Sequence, residues 1–301
     1  MGEPQALLVN TRILAREFEY IRAQTVPEAV ALLSRYGERA RPIAGGTDLL
    51  VQMKMERLSP EFLVDIRRIP ELHGISQHEG LRIGATTSLR EIQASVVIQE
   101  TYTALAEAAR QVGHVQVRTM GTIGGNISNA SPAADSVPPL LVFDAKVKLT
   151  NPAGSRVLPL DTFFVGPGAT ALSRGELLVE IQLPPLPRNT GSAFLKIGRT
   201  RVDLAKVSVA VALEREGGDI RACHIALGAV AEKPLRAREA EAILAGERYS
   251  EALIQEASQQ VTKEIRPITD VRSTAGYRTE AAKTLVADGL RLAWQRAGGG
   301  E

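Results

Sequence analysis

Two short stretches of the chain carry residues able to hold an anion: "AGGTD" at 44–48 and "GTIGGN" at 121–126. A phosphate oxygen is bound by several short N–H donors, and glycine lets a backbone approach where a Cβ would collide. Thr47, Thr122 and Asn126 add side-chain donors beside the glycines. Either stretch alone reads equally as a tight turn, since a lone short glycine motif is weak evidence. Two of them with similar polar neighbours point to a pair of loops gripping one diphosphate. Other chemistry is excluded by absence of short, hard-to-disguise motifs. There is no Walker A lysine, no G-x-S-x-G elbow, no EF-hand loop and no H-E-x-x-H. The histidines, His73, His78, His114 and His224, show no paired metal spacing.

The elements around these stretches can be read from periodicity and caps. "TVPE" at 25–28 is a capping box in which the Thr25 hydroxyl accepts from the Glu28 amide and the Glu28 carboxylate reaches back. Ala29, Val30, Leu32, Leu33 and Tyr36 then supply a helical apolar face that ends at Gly37. "RPIA" follows as a strand, the glycine pair as a turn, and "TDLLVQMKMER" as a helix capped by Thr47 or Asp48. Strand, glycine turn and helix start in that order form an anion site. "EFLVDI", "LHGIS" and "LRIGAT" read as short strands, Ser88 and Glu91 as a second capping box, and "TYTALAEAARQVG" as a helix closed by Gly113. After the second glycine stretch come an apolar segment and an alternating strand, "AKVKL". Residues 151–187, rich in Pro and Gly around a strand "ELLVEIQL", look like a domain boundary. Beyond it "AFLKIGR", "AKVSVAVALERE" and "DIRACHIALGAV" are strands, the last two joined in a hairpin at Gly217, Gly218 and Asp219. Helices at about 235–245, 250–264 and 274–296 finish the chain, and no solenoid repeat is present.

Composition sets outer limits. The 301 residues suffice for two or three packed units, and a net charge of +2 without basic stripes or aromatic interleaving argues against nucleic acid. Cys223 is the sole cysteine, which excludes an internal disulfide, a cysteine-ligated iron–sulfur cluster and a cysteine zinc site. It reads as a strand core residue. No stretch approaches 18 apolar residues, and the N-terminus has neither the basic start nor the apolar core of a signal peptide. These features lead to the expectation of a cytoplasmic protein with no membrane span.

The residues also carry a family resemblance. "RPIAGGTDLLVQMK", then "RTMGTIGGNISNASPAAD", "GELLVEIQLP" and "FLKIGRTRVDLAKVSVAVAL" occur in that order. Together they resemble the FAD-binding medium subunit of molybdenum hydroxylases, the family of the carbon monoxide dehydrogenase flavoprotein and the flavin segment of xanthine dehydrogenase. The resemblance runs from about Phe18 into the C-terminal helices. It implies an α+β chain: a two-lobed FAD-binding fold of the p-cresol methylhydroxylase type over 18–187, with lobes of about 18–58 and 59–187. A C-terminal α+β domain with a three-stranded sheet and helices would occupy 188–301, leaving 1–17 as an extension.

The same resemblance implies the cofactor FAD and its contacts. Ile43, Ala44, Gly45, Gly46, Thr47, Asp48 and Leu49 would face the diphosphate with Thr122, Ile123, Gly124, Gly125 and Asn126. Asp135 would meet the adenosine side, Leu178 would border the flavin, and Lys196 would approach the flavin ring. Each has a plainer local reading: Asp135 as a cap, Leu178 as core, Lys196 as a solvated strand residue. Arg201 and Asp203 read as an ion pair, and His114 as a remote possibility for covalent flavin attachment. No catalytic residue and no metal ligand is expected on this chain. The implied role is electron transfer from iron–sulfur clusters on a partner to an external acceptor. The implied partners are a molybdenum-cofactor large subunit and a 2Fe-2S small subunit, in a dimer of heterotrimers. Alternatives are a stand-alone FAD oxidase or dehydrogenase of the same fold, and a non-catalytic subunit that has lost its flavin.

Overall fold

A computed structural model describes residue 14 and residues 16–298, so most of the expected 1–17 extension lies outside the described residues. The first unit is a parallel sheet of β1 (Glu19–Arg22), β2 (Ala40–Ile43) and β3 (Phe62–Asp65) in the order β1-β3-β2. The Val26–Tyr36 helix packs on it through Ala29, Val30 and Leu33. Thr25 accepts from the Glu28 amide at 3.3 Å, as expected. The Glu28 carboxylate, however, reaches the Gln24 amide at 2.7 Å, one residue further back than a capping box requires. Because β3 pairs on both edges, this lobe runs through Asp65 and not to the expected limit near 58.

The second unit is an antiparallel sheet in the order β4-β5-β10-β6-β7. Its strands are β4 (Ile75–Gln77), β5 (Leu81–Gly84), β6 (Lys146–Asn151), β7 (Gly154–Pro159) and β10 (Leu177–Leu183). Between β7 and β10 lies a small hairpin of β8 (Phe164–Gly166) and β9 (Ala169–Thr170). The 151–187 stretch is therefore no boundary, since it supplies an edge strand and the central strand of this sheet. "LHGIS" is only half a strand: the Pro70–Leu72 turn takes its start, and Gly74 at φ +110° bends the chain into β4. Short helices between residues 89 and 142 bury Leu89, Ile92, Ile98, Leu105 and Leu140 against the sheet.

The third unit is an antiparallel sheet of β11 (Thr190–Ile197), β12 (Val207–Glu216), β13 (Asp219–Gly228) and β14 (Leu235–Arg236). The two-residue β14 adds a fourth edge to the three strands expected. Along β12 the side chains alternate between two cores, as strand geometry requires. Val207, Val209, Val211 and Leu213 meet the Ala275–Ala297 helix through Leu285, Val286 and Leu290. Ala210 and Ala212, with Phe194 of β11, belong to the core of the second unit. Small residues on that face let the sheet lie flat on the second unit. Ser192 accepts from the Ala104 amide at 3.2 Å and Arg296 pairs with Glu107 at 2.6 Å across the same junction. The buried Arg278 ties the far end, donating to the carbonyls of Lys206 at 2.9 Å and Ala229 at 2.8 Å and to Asp270 at 2.6 Å. Among the described residues no helix is long and apolar enough to cross a membrane.

Candidate functional site

The first glycine stretch leaves β2 and turns into the Leu49–Lys54 helix. Gly46 sits at φ +70°, a left-handed conformation that suits glycine. Gly45 has a different constraint: a Cβ there would lie 2.0 Å from the Met120 carbonyl oxygen and 2.9 Å from the Gly121 Cα. The two glycine stretches are thus in backbone contact. Asp48 occupies the cap position of the helix, yet neither it nor Thr47 makes a side-chain cap. As a result the amides of Gly45, Gly46, Thr47, Asp48 and Leu49 have no acceptor among the described residues. Backbone donors left unpaired in a partly enclosed turn make an anion-binding nest.

The second stretch differs from its expected role. Ile123–Ser128 is a short helix, not an open loop, with Thr122 as its cap. Its leading amides are already engaged. Ile123 donates to Thr87 O at 3.0 Å, Gly124 to Ala85 O at 2.9 Å and Asn126 to Thr122 O at 2.9 Å. Gly125 donates to the Thr122 hydroxyl at 3.2 Å. Gly124 allows close packing, because a Cβ would meet Ala85 at 2.7 Å, whereas a Cβ on Gly125 would meet only Thr122 Oγ1 at 3.0 Å. This stretch therefore offers an open, exposed glycine face and the side chain of Asn126. The Asn126 oxygen accepts from Ser136 at 2.6 Å, which leaves its amide hydrogens free to donate among the described residues.

Both stretches border one cavity of about 960 Å³, at the upper end of the range of about 300–1,000 Å³ for small-molecule sites. Ala44 to Leu49, Thr122, Gly124, Gly125, Asn126, Asp135 and Leu178 line it. Ile43 and Ile123 do not: Ile43 packs with Met53 and Leu63, and Ile123 is fully buried in the second unit's core. Leu178 satisfies both readings, being 3% exposed, part of the core, and on the cavity wall beside a bulge in β10.

Lys196 is neither a solvated strand residue nor a residue of the wall. It is buried, with Nζ 2.5 Å from Asp135 Oδ2 and 3.1 Å from the Gln111 carbonyl. Asp135 is likewise no simple cap. Burial pushes its carboxyl up to about 6, against the pull of the Lys196 charge and hydrogen bond. Its second oxygen, Oδ1, is buried without a partner among the described residues. Asp135 and Lys196 were expected at opposite ends of an extended cofactor, and their direct contact excludes that arrangement. Arg201 and Asp203 are not paired; Asp203 bonds Arg199 at 3.0 Å. His114 is exposed and off the cavity wall, so the geometry gives no support to covalent attachment there. Cys223 is buried, and burial raises its thiol well above the ordinary range.

Several wall residues carried no sequence signal. Arg174 comes from the loop before β10, and its guanidinium lies against Gly37, where a Cβ would be 2.4 Å from Nη2. Val202 to Leu204, from the β11–β12 connection, close another side. Gln52 donates to Asn129 at 3.1 Å and joins the helices that follow the two glycine stretches. Nothing local marks such residues, because only apposition of distant segments gives them a shared wall.

A nest of unpaired amides, an open glycine face and a buried unpaired carboxylate oxygen on one cavity suit a nucleotide carrying a diphosphate. Fold and cavity together define a dinucleotide-binding subunit built from three packed units. Comparison with known families supplies the rest. Residues 16–186 match the model described as the FAD binding domain in molybdopterin dehydrogenase, and residues 192–293 match the CO dehydrogenase flavoprotein C-terminal domain. The carbon monoxide dehydrogenase medium chain of Hydrogenophaga pseudoflava is 37% identical over 280 residues, covering 93% of this chain and 98% of that one. The glyceraldehyde dehydrogenase medium chain of Sulfolobus acidocaldarius is 36% identical over 270 residues, covering 89% and 95%. A solved carbon monoxide dehydrogenase from Hydrogenophaga pseudoflava superposes with a TM-score of 0.92 at 38% identity, covering 94% of this chain and 99% of that chain. The chain belongs to the family of FAD-binding medium subunits of molybdenum hydroxylases. It is an oxidoreductase flavoprotein subunit, and its cofactor is FAD.

Proposed function

We propose that this chain is the electron-transfer subunit of a three-subunit molybdenum hydroxylase, working beside a molybdenum-cofactor large subunit and a 2Fe-2S small subunit. The observation that carries the reading is the run of free amides from Gly45 to Leu49 in the cavity wall. When bound, FAD supplies the redox chemistry, collecting electrons that arrive singly and releasing them in pairs to an external acceptor. The protein's own contribution is binding and exclusion of water. The first-stretch amides hold the diphosphate, Gly125 leaves room for it, and Asn126 donates from its side-chain amide. Leu178 and the Val202–Leu204 connection cover the cavity with apolar surface. Cys223 as sole cysteine supports delivery of electrons from clusters on another polypeptide. A dimer of heterotrimers in the cytoplasm is the arrangement and place this reading entails.

Purification of the tagged chain from its native cells tests the proposal. Flavin absorbance together with co-eluting subunits containing molybdenum and iron is the expected result. An isolated chain that binds FAD, and whose flavin is bleached by an organic substrate with no partner present, would instead establish a stand-alone dehydrogenase. A chain that takes up no FAD on reconstitution would refute both.

A further inference from the structure

Asp135 and Lys196 belong to different units, the first to the cavity wall and the second to β11 of the C-terminal sheet. Their side chains are 4% and 3% exposed. Desolvating two opposite charges costs several kcal/mol each, so a buried ion pair is a poor source of stability. This pair is also incomplete as a structural device. Lys196 Nζ uses Asp135 Oδ2 and the Gln111 carbonyl, while Oδ1 is left buried and unpartnered among the described residues. Buried polar atoms without a partner call for a specific explanation. Holding Oδ2 from behind fixes the carboxylate plane and with it the direction of Oδ1.

We infer that Lys196 is a positioning residue that does not touch the cofactor: it holds Asp135 so that Oδ1 accepts a hydrogen bond from a hydroxyl or N–H of the bound flavin nucleotide. The inference rests on the FAD reading above. It makes the C-terminal unit part of the binding site, through a strand whose Ser192 and Phe194 are themselves bonded to residues 104 and 107 of the second unit. It also removes Lys196 as a cation acting directly on the flavin ring.

The test is equilibrium binding of FAD to the FAD-stripped full chain, followed by quenching of flavin fluorescence. Lys196→Met should weaken binding about tenfold or more, the scale of a charge-assisted hydrogen bond, and Asp135→Ala by at least as much. In the D135A background, Lys196→Met should change affinity by no more than about twofold, because the group it acts through is gone. Equal weakening by K196M in both backgrounds would overturn the inference, as would unchanged affinity in K196M alone. The flavin midpoint potential is a second readout. A positioning lysine leaves it at the wild-type value in K196M, because Asp135 takes up a proton and the site stays neutral; a fall in potential marks direct contact. Should D135A alone not fold, the neutral pair D135N/K196Q leaves no buried charge unpaired. It should recover part of the affinity lost in K196M, and binding no better than K196M overturns the inference. Failure of the wild-type chain to bind FAD would refute the FAD reading itself, whereas wild-type binding with an additive cycle refutes only the role of Lys196.

Discussion

Replacing Gly125 by alanine separates the folding role of the second glycine stretch from its binding role. A Cβ at this position meets only Thr122 Oγ1, at 3.0 Å, and otherwise points into open space at the cavity. Inside the Ile123–Ser128 helix, Gly→Ala is favourable by roughly 0.5–1 kcal/mol through backbone entropy. A shift of Thr122 by a few tenths of an ångström offsets part of that gain. The FAD-free variant should therefore unfold within about 1 kcal/mol of the wild type, or within about 4 °C in its thermal midpoint. Binding should respond in the opposite direction. The new methyl occupies the face left open for the diphosphate and pushes it off the amides of the first stretch. Loss of one or two charge-assisted hydrogen bonds, at about 1.5–3 kcal/mol each, amounts to roughly a hundredfold weaker FAD affinity. Calorimetric unfolding of the FAD-free protein and a fluorescence titration with FAD measure the two effects independently. Wild-type affinity in G125A would falsify the contact between this face and the diphosphate. A strongly destabilised FAD-free variant would refute the local geometry from which the prediction is drawn.

Three further outcomes follow from the structure. Gly45→Ala places a Cβ 2.0 Å from the Met120 carbonyl, so both stretches must separate, at a cost of about 1–3 kcal/mol in denaturant unfolding as well as lost FAD; unchanged stability would refute the backbone contact. Burial raises the Asp65 carboxyl, but hydrogen bonds from Arg67 and Tyr20, reinforced by the Arg67 charge, outweigh it and hold the group at about 2. A depressed carboxylate stabilises the fold above its unfolded value near 4 and loses that contribution as pH falls toward 2. Urea unfolding from pH 6 to 2 should thus show a decline that Asp65→Asn flattens, and parallel curves for the two proteins would contradict the assignment. Arg278→Met removes the donor to two carbonyls and the partner of Asp270, and should cost about 3 kcal/mol or more in chemical denaturation; a loss below about 1 kcal/mol would show that the buried guanidinium is not structural.

Local rules made the punctuation of this chain legible from the sequence. The Ser88–Glu91 box forms both of its reciprocal bonds, Gly37 ends the first helix, and the Gly217–Gly218 hairpin joins β12 to β13. These features depend on partners within a few residues of one another, so residue type and spacing are enough to predict them. The two glycine stretches were legible for the same reason, as places where a backbone can come close to something. What each approaches was not legible. Gly45 meets the backbone of Met120, Gly124 meets Ala85, Gly46 answers a left-handed turn, and only Gly125 faces open space. The second stretch looked like a source of amides until Thr87 and Ala85, from a segment some way upstream, were found to accept them. Asp135 and Lys196 are 61 residues apart and carried separate readings, one at each end of the cofactor. Their meeting depends on the small residues of β12 that seat the third sheet on the second unit. Sequence by itself determined where the chain turns, which faces are apolar and which family it resembles, because those follow from short-range hydrogen bonding and periodicity. Only the tertiary structure decided which donors remain free for a ligand, because that depends on which distant segments have already supplied the acceptors.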